Sequence, residues 1–90
     1  MTIHTVISTP HFTRLIDTLN GYIKFYFNRI HSVEGIRYHI SCMDRRRKVY
    51  TFHMVEMLGQ WIIAPSSKSP IWIKSLEPEF EKAIRDSLVK

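Results

Sequence analysis

The sequence predicts an α+β domain: an antiparallel meander of three to five strands with a C-terminal helix on one face. Three observations predict it. Tyr22-Ile23-Lys24-Phe25-Tyr26-Phe27-Asn28-Arg29-Ile30 is dense in aromatic and β-branched residues and alternates. Ile23, Phe25 and Phe27 share one face; Tyr22, Lys24, Tyr26 and Asn28 share the other. Two further alternating runs follow at short spacing. Last comes an apolar stripe at helical spacing: Leu76, Phe80, Ala83, Ile84 and Leu88.

The segment before the central strand has two readings. As a helix over about 10–20, Thr9 is the N-cap, Pro10 takes the first helical position and Asn20-Gly21 is the stop. Phe12, Leu15, Ile16 and Leu19 then follow the i, i+3, i+4, i+7 rule. As a strand, Asn20-Gly21 becomes a two-residue hairpin turn that pairs Asp17 with Lys24 and Ile16 with Phe25. Leu15-Ile16 breaks the alternation a strand wants, so the helix is preferred.

The central strand covers about 22–31, and His31 to Gly35 reads as a loop. The next strand, 36–43, sets Ile36, Tyr38, Ile40 and Cys42 against Arg37, His39 and Ser41. Asp44-Arg45-Arg46-Arg47 turns the chain into a strand at 48–57, with Tyr50, Phe52 and Met54 opposed by Thr51 and His53. A turn of odd length brings the two apolar sets onto one face. Gly59 turns the chain again, into a short strand at 60–64 stopped by Pro65. Ser66 to Ser69 is a loop closed by Pro70. Ile71-Trp72-Ile73 reads as a brief edge strand or an extended lead-in. The helix covers about 76–89, capped by Ser75 or Glu77, with Pro78 in its first turn. Glu77, Glu79 and Glu81 near its start, and Lys82, Arg85 and Lys90 toward its end, match the helix dipole.

Ninety residues make one domain, 1–90, in which nearly every large apolar side chain is needed for the core. A single cysteine, Cys42, excludes an internal disulfide framework and fits a reducing, cytoplasmic setting. Met1 to Pro10 lack a basic start and an apolar run, so no signal peptide is read there, and no membrane span. The net charge of +5 and the isoelectric point near 9.7 favour acidic partners in general. The one basic cluster is Arg45-Arg46-Arg47-Lys48.

An enzymatic reading finds little to rest on. His4, His11, His31, His39 and His53 stand in no metal-binding spacing. The alternation sets His39 and His53 on one sheet face in adjacent strands, without the further ligands a structural zinc needs. Cys42 alternates onto the apolar face, where a thiol is inert. No nucleophile elbow, phosphate loop or dinucleotide fingerprint is present. The expectation is a non-enzymatic chain without catalytic residues, cofactor or metal.

Two binding readings remain. In the first, the chain is a small binding or assembly module that takes a protein partner, or a second copy of itself, on an open sheet face. One helix covers one side of a sheet; the other side carries Tyr22, Tyr26 and Met43, with Leu15 and Leu19 near it, more apolar than water usually faces. Trp61 and Trp72 are candidate anchors. In the second, the chain binds single-stranded nucleic acid. Tyr22, Lys24 and Tyr26, with Arg37 and the Arg45, Arg46, Arg47, Lys48 turn, combine stacking surfaces for bases with charges for phosphates.

Element order offers two comparisons. With residues 10–20 helical, the order α-β-β-β-α resembles the double-stranded-RNA-binding domain. That resemblance implies basic residues at the start of the second helix, where this chain has Glu77, Glu79 and Glu81. With 11–19 as a strand, the order of four strands and a helix is similar to Whirly-type single-strand binders. Both rest on order alone and assign no function.

Overall fold

The computed structural model describes residues 11–88. The expectations for Met1 to Pro10, including the Thr9 cap, Pro10, His4 and the reading of a leader, lie outside the described residues, as does Lys90. Five strands form one antiparallel meander in sequence order: β1 Phe12–Thr18, β2 Gly21–Ser32, β3 Gly35–Met43, β4 Val49–Met57 and β5 Gln60–Ile63. A helical turn, α1 Ile71–Lys74, and a longer helix, α2 Glu77–Leu88, follow. α2 touches both β5 and β1, the two ends of the sheet, so the sheet curls round it as a half-barrel.

The preferred reading of residues 10–20 as a helix is corrected: 12–18 is a strand, the hairpin alternative. Phe12 and Ile16 turn toward the core, whereas Leu15 and Leu19, counted in the helical stripe, are exposed. Pairing with the long β2 satisfies the backbone groups that the two strands turn toward each other, and this tertiary gain outweighs a helical pattern with only four apolar residues. The expected register also moves. Ile16 pairs with Ile23 and Asp17 with Tyr22, not with Phe25 and Lys24. Thr18 pairs with Gly21, so Leu19-Asn20 forms the tip, and the positive φ of 91° falls on Gly21. The Asn20 amide donates to Thr18 Oγ1 at 2.9 Å, and that hydroxyl donates to the Gly21 carbonyl at 2.7 Å. The shift is two residues, so every side chain keeps its face.

The β3–β4 register is the expected one: Cys42 faces Tyr50, Ile40 faces Phe52 and Tyr38 faces Met54. β4 and β5 join through Leu58-Gly59, both at positive φ (53° and 83°), as a two-residue hairpin of the mirror-image type requires. Residues 71–73 form part of a helical turn, not an edge strand. That turn drops Ile73 into the core, leaves Trp72 half-buried and exposes Ile71. The Ile63 amide donates to Glu77 Oε2 at 2.7 Å, which ties β5 to the start of α2.

The core lies between the concave side of the sheet and α2. Phe25, Phe27, Phe52 and Phe80 are fully buried, and the Phe80 ring meets those of Phe25, Phe52 and Phe27 at 4.9, 5.1 and 6.3 Å. Ala83 and Ile84 continue the stripe; Leu88, expected in it, is about half exposed. Tyr38 is buried too, and its hydroxyl accepts from Arg29 Nε at 3.1 Å. Trp61 closes one side against Tyr38 at 5.2 Å.

Candidate functional site

Both helices sit on the concave side, so the convex side of the sheet is uncovered among the described residues. Alternation along each strand decides what it carries. Leu15 pairs with Lys24 across β1 and β2, and Met43 with Val49 across β3 and β4. The next row runs Thr13, Tyr26, Ser41, Thr51. Leu15, Tyr22, Met43 and Val49 are 60, 69, 52 and 62% exposed and Tyr26 39%, values far from those of a core. The Lys24 ammonium stands 6.0 Å from the centre of the Tyr26 ring.

Further along the same face, Asn28, His39 and His53 form one row, and Ile30, Arg37, Val55 and Ile62 the next. The His39 and His53 rings are 5.0 Å apart, the neighbours the alternation calls for. Burial, then the positive potentials of His39 and Arg37, push the His53 imidazole below its ordinary value. Among the described residues no group of three or more histidine, cysteine or acidic side chains is set to hold a metal ion. Arg37 Nε is buried without a hydrogen-bond partner. Cys42 is buried, and burial together with nearby Asp44 pushes its thiol up to about 11.

The eight site residues expected from the sequence therefore divide. Tyr22, Lys24 and Tyr26 cluster on the open face. Arg37 shares that face but lies six residues along β3 from Met43, roughly 20 Å at the rise of a strand. Arg45 and Arg46 belong to the β3–β4 turn and line a groove at the mouth of the half-barrel, with the Leu19–Gly21 tip, Tyr50 and Trp72. Arg47 takes the left-handed position of the turn (φ 68°), and the Lys48 ammonium lies 5.3 Å from the centre of the Tyr50 ring.

Asp44 builds that turn. Its Oδ1 accepts from the Arg46 and Lys48 amides, both at 2.9 Å, and its Oδ2 accepts from the Tyr50 hydroxyl at 3.3 Å. These bonds, the Lys48 amide first, hold the Asp44 carboxyl below the usual carboxylate range. Sequence reasoning assigned Tyr50 to the core face and Trp72 to an edge strand or a partner contact. Their meeting beside the basic turn is a tertiary event with no local signal. Comparison of the chain with protein-family models, with curated proteins and with solved structures found no match.

Proposed function

We propose that this chain is a non-enzymatic binding and assembly module that takes a protein partner, a second copy of itself in the first instance, on the open face of its sheet. The observation that carries the reading is the uncovered end of that face, where Leu15, Tyr22, Tyr26, Met43 and Val49 are exposed together. Large apolar side chains interleaved with Thr13, Ser41 and Thr51 make a surface that gains by desolvation yet keeps polar groups for its rim. Asp17 and Lys24 on the same face supply opposite charges that a two-fold arrangement can pair, as an isologous contact requires.

Sedimentation velocity tests it. The expected result is a concentration-dependent dimer that Leu15→Glu with Val49→Glu converts to monomer while the circular dichroism spectrum is kept. A parent chain that stays monomeric at millimolar concentration would remove self-association.

A second reading, binding of single-stranded nucleic acid through Tyr22, Lys24, Tyr26, Arg37 and the basic turn, has one observation in its favour. Lys24 lies beside the exposed Tyr26 ring, so a stacking surface and a phosphate-sized charge are neighbours. Fluorescence titration with an oligonucleotide should then weaken steeply between about 50 and 200 mM salt. Absence of binding at the lower salt would sink it.

A further inference from the structure

The groove at the mouth of the half-barrel has a volume of about 660 Å³, within the range of roughly 300–1,000 Å³ found for small-molecule sites. Its charge is one-sided. Asp44 is the single acid in its lining, and both carboxylate oxygens are already engaged by the Arg46 and Lys48 amides and the Tyr50 hydroxyl. Neither Arg45 nor Arg46 forms a salt bridge among the described residues, where the ion pairs are Arg14–Asp86 and Arg85–Glu81. Arg45 and Arg46 thus line the groove without a salt bridge, and the one carboxylate near them, Asp44, feels the Arg46 charge but already has both oxygens engaged. Arginine's planar fork of donors matches a phosphate.

The cations are also placed. The hydrogen bonds to Asp44 fix the turn that carries them. The Arg45 guanidinium lies against the Gly21 backbone so closely that a Cβ there would fall 2.7 Å from Nη2. The lining is also aromatic: Tyr50 and Trp72 both border the groove, meet edge to face at 5.4 Å and are each half-buried. Lys48 over the Tyr50 ring adds a third positive charge close by. A flat ring beside a pair of arginines is what a base joined to a phosphate needs.

We propose that this groove binds a nucleotide, with Arg45 and Arg46 on the phosphate and the Trp72–Tyr50 wall against the base. The nucleotide is either free or one unit of a single strand. The site shares the basic turn with the single-strand reading above and nothing with the open face. Tyr26→Ala therefore tests that reading without touching the groove, and the two can fail separately.

The experiment is calorimetric titration of the intact chain at low salt with adenosine monophosphate, adenosine, inorganic phosphate, a short single-stranded oligonucleotide and an acidic peptide. Adenosine monophosphate should bind at least tenfold more tightly than adenosine or phosphate. Arg45→Gln with Arg46→Gln should weaken it at least tenfold, and Trp72→Ala severalfold, with thermal melting confirming that each variant is folded. A free-nucleotide site binds the mononucleotide as well as the oligonucleotide. A single-strand site binds the oligonucleotide much more tightly, with a steep salt dependence. Three results overturn the proposal: no binding of either at millimolar concentration, binding unchanged in the double arginine variant, or inorganic phosphate or the acidic peptide binding as tightly as the nucleotide.

Discussion

Phe25 and Tyr26 are adjacent in β2 and point to opposite sides of the sheet, so truncating each in turn reads the orientation of the whole domain. Phe25 is fully buried, with its ring 4.9 Å from that of Phe80 at an interplanar angle of 62°. Phe25→Ala removes that contact and leaves a cavity whose other walls are fixed by β2 and α2, so a cost of about 3–5 kcal/mol is expected. For a chain of 90 residues the whole stability is on the order of 5–13 kcal/mol, so this one change removes a large share of it. At about 4–8 °C per kcal/mol for a domain of this size, the midpoint of thermal unfolding should fall by roughly 12–40 °C. Tyr26→Ala, on an exposed ring, should cost less than about 1 kcal/mol. Urea unfolding followed by tryptophan fluorescence measures both, since Trp61 is buried in the core, and the m-values should match that of the parent. A double-mutant cycle with Phe80→Ala should give a coupling of at least about 0.5 kcal/mol, as expected for an edge-to-face pair. The reasoning is refuted if Tyr26→Ala costs as much as Phe25→Ala, because the two faces would then be reversed.

Three other expectations follow from single sites. Leu58 holds a positive φ of 53° with its side chain fully exposed, so Leu58→Asn should raise stability by about 0.5–1 kcal/mol, and a lowered urea midpoint would contradict that turn geometry. The Cys42 thiol, buried and pushed up to about 11, is ionised to roughly one part in a thousand near pH 8; a disulfide reagent should therefore label it only on unfolding, and rapid labelling of the native chain would show that the site is open. His53, held below its ordinary 6.5 by burial and by His39 and Arg37, binds its proton more readily in the unfolded chain. Its contribution is complete above pH 6.5 and is lost as pH falls through the lowered folded value. The stability advantage of the parent over His53→Gln should thus shrink on acidification, and a difference that stays constant from about pH 8 to about pH 5 would contradict the assignment.

What the sequence made legible is what short-range periodicity controls. Ile23, Phe25 and Phe27 were readable as core because nothing else in their segment competes with period two. The facing of Cys42 to Tyr50 and of Ile40 to Phe52 followed from the parity of one turn. Residues 12–19 defeated the same method because Phe12, Leu15, Ile16 and Leu19 fit a helix, whereas in the strand only Phe12 and Ile16 turn inward. Leu15 and Leu19 stay exposed, which no local rule anticipates. The hairpin tip failed for a narrower reason: in this turn only Gly21 takes a positive φ, while Leu19 and Asn20 keep negative values, so Gly21 becomes the first residue of β2 and the turn centre is Leu19-Asn20. The exposed tyrosines and Lys24 were legible by alternation. The groove was not, because Arg45, Tyr50 and Trp72 come together only when α1 folds across the mouth of the sheet.

The composition of the open face also limits what it costs so small a domain to leave that side of its sheet in water. If its convex side were as apolar as its concave side, leaving it in water would cost much of the stability that the core provides. It is not. Asn28, His39, Ser41, Thr51 and His53 populate the middle of that face, half-buried Ile30, Val55 and Ile62 surround Arg37 at one end, and the more exposed Leu15, Tyr22, Met43 and Val49 lie at the other, nearest the β1–β2 and β3–β4 turns. A patch restricted to one end gives a modest gain on association, so a partner bound there should exchange rather than lock. The basic turn borders the same end, and its arginines look round the rim into the groove. Charge there favours the approach of an anionic ligand and opposes the approach of a second copy of a chain carrying +5. Raising salt should therefore strengthen pairing of two copies through the apolar end while it weakens nucleotide in the groove, and these opposite responses separate the two surfaces in a single preparation.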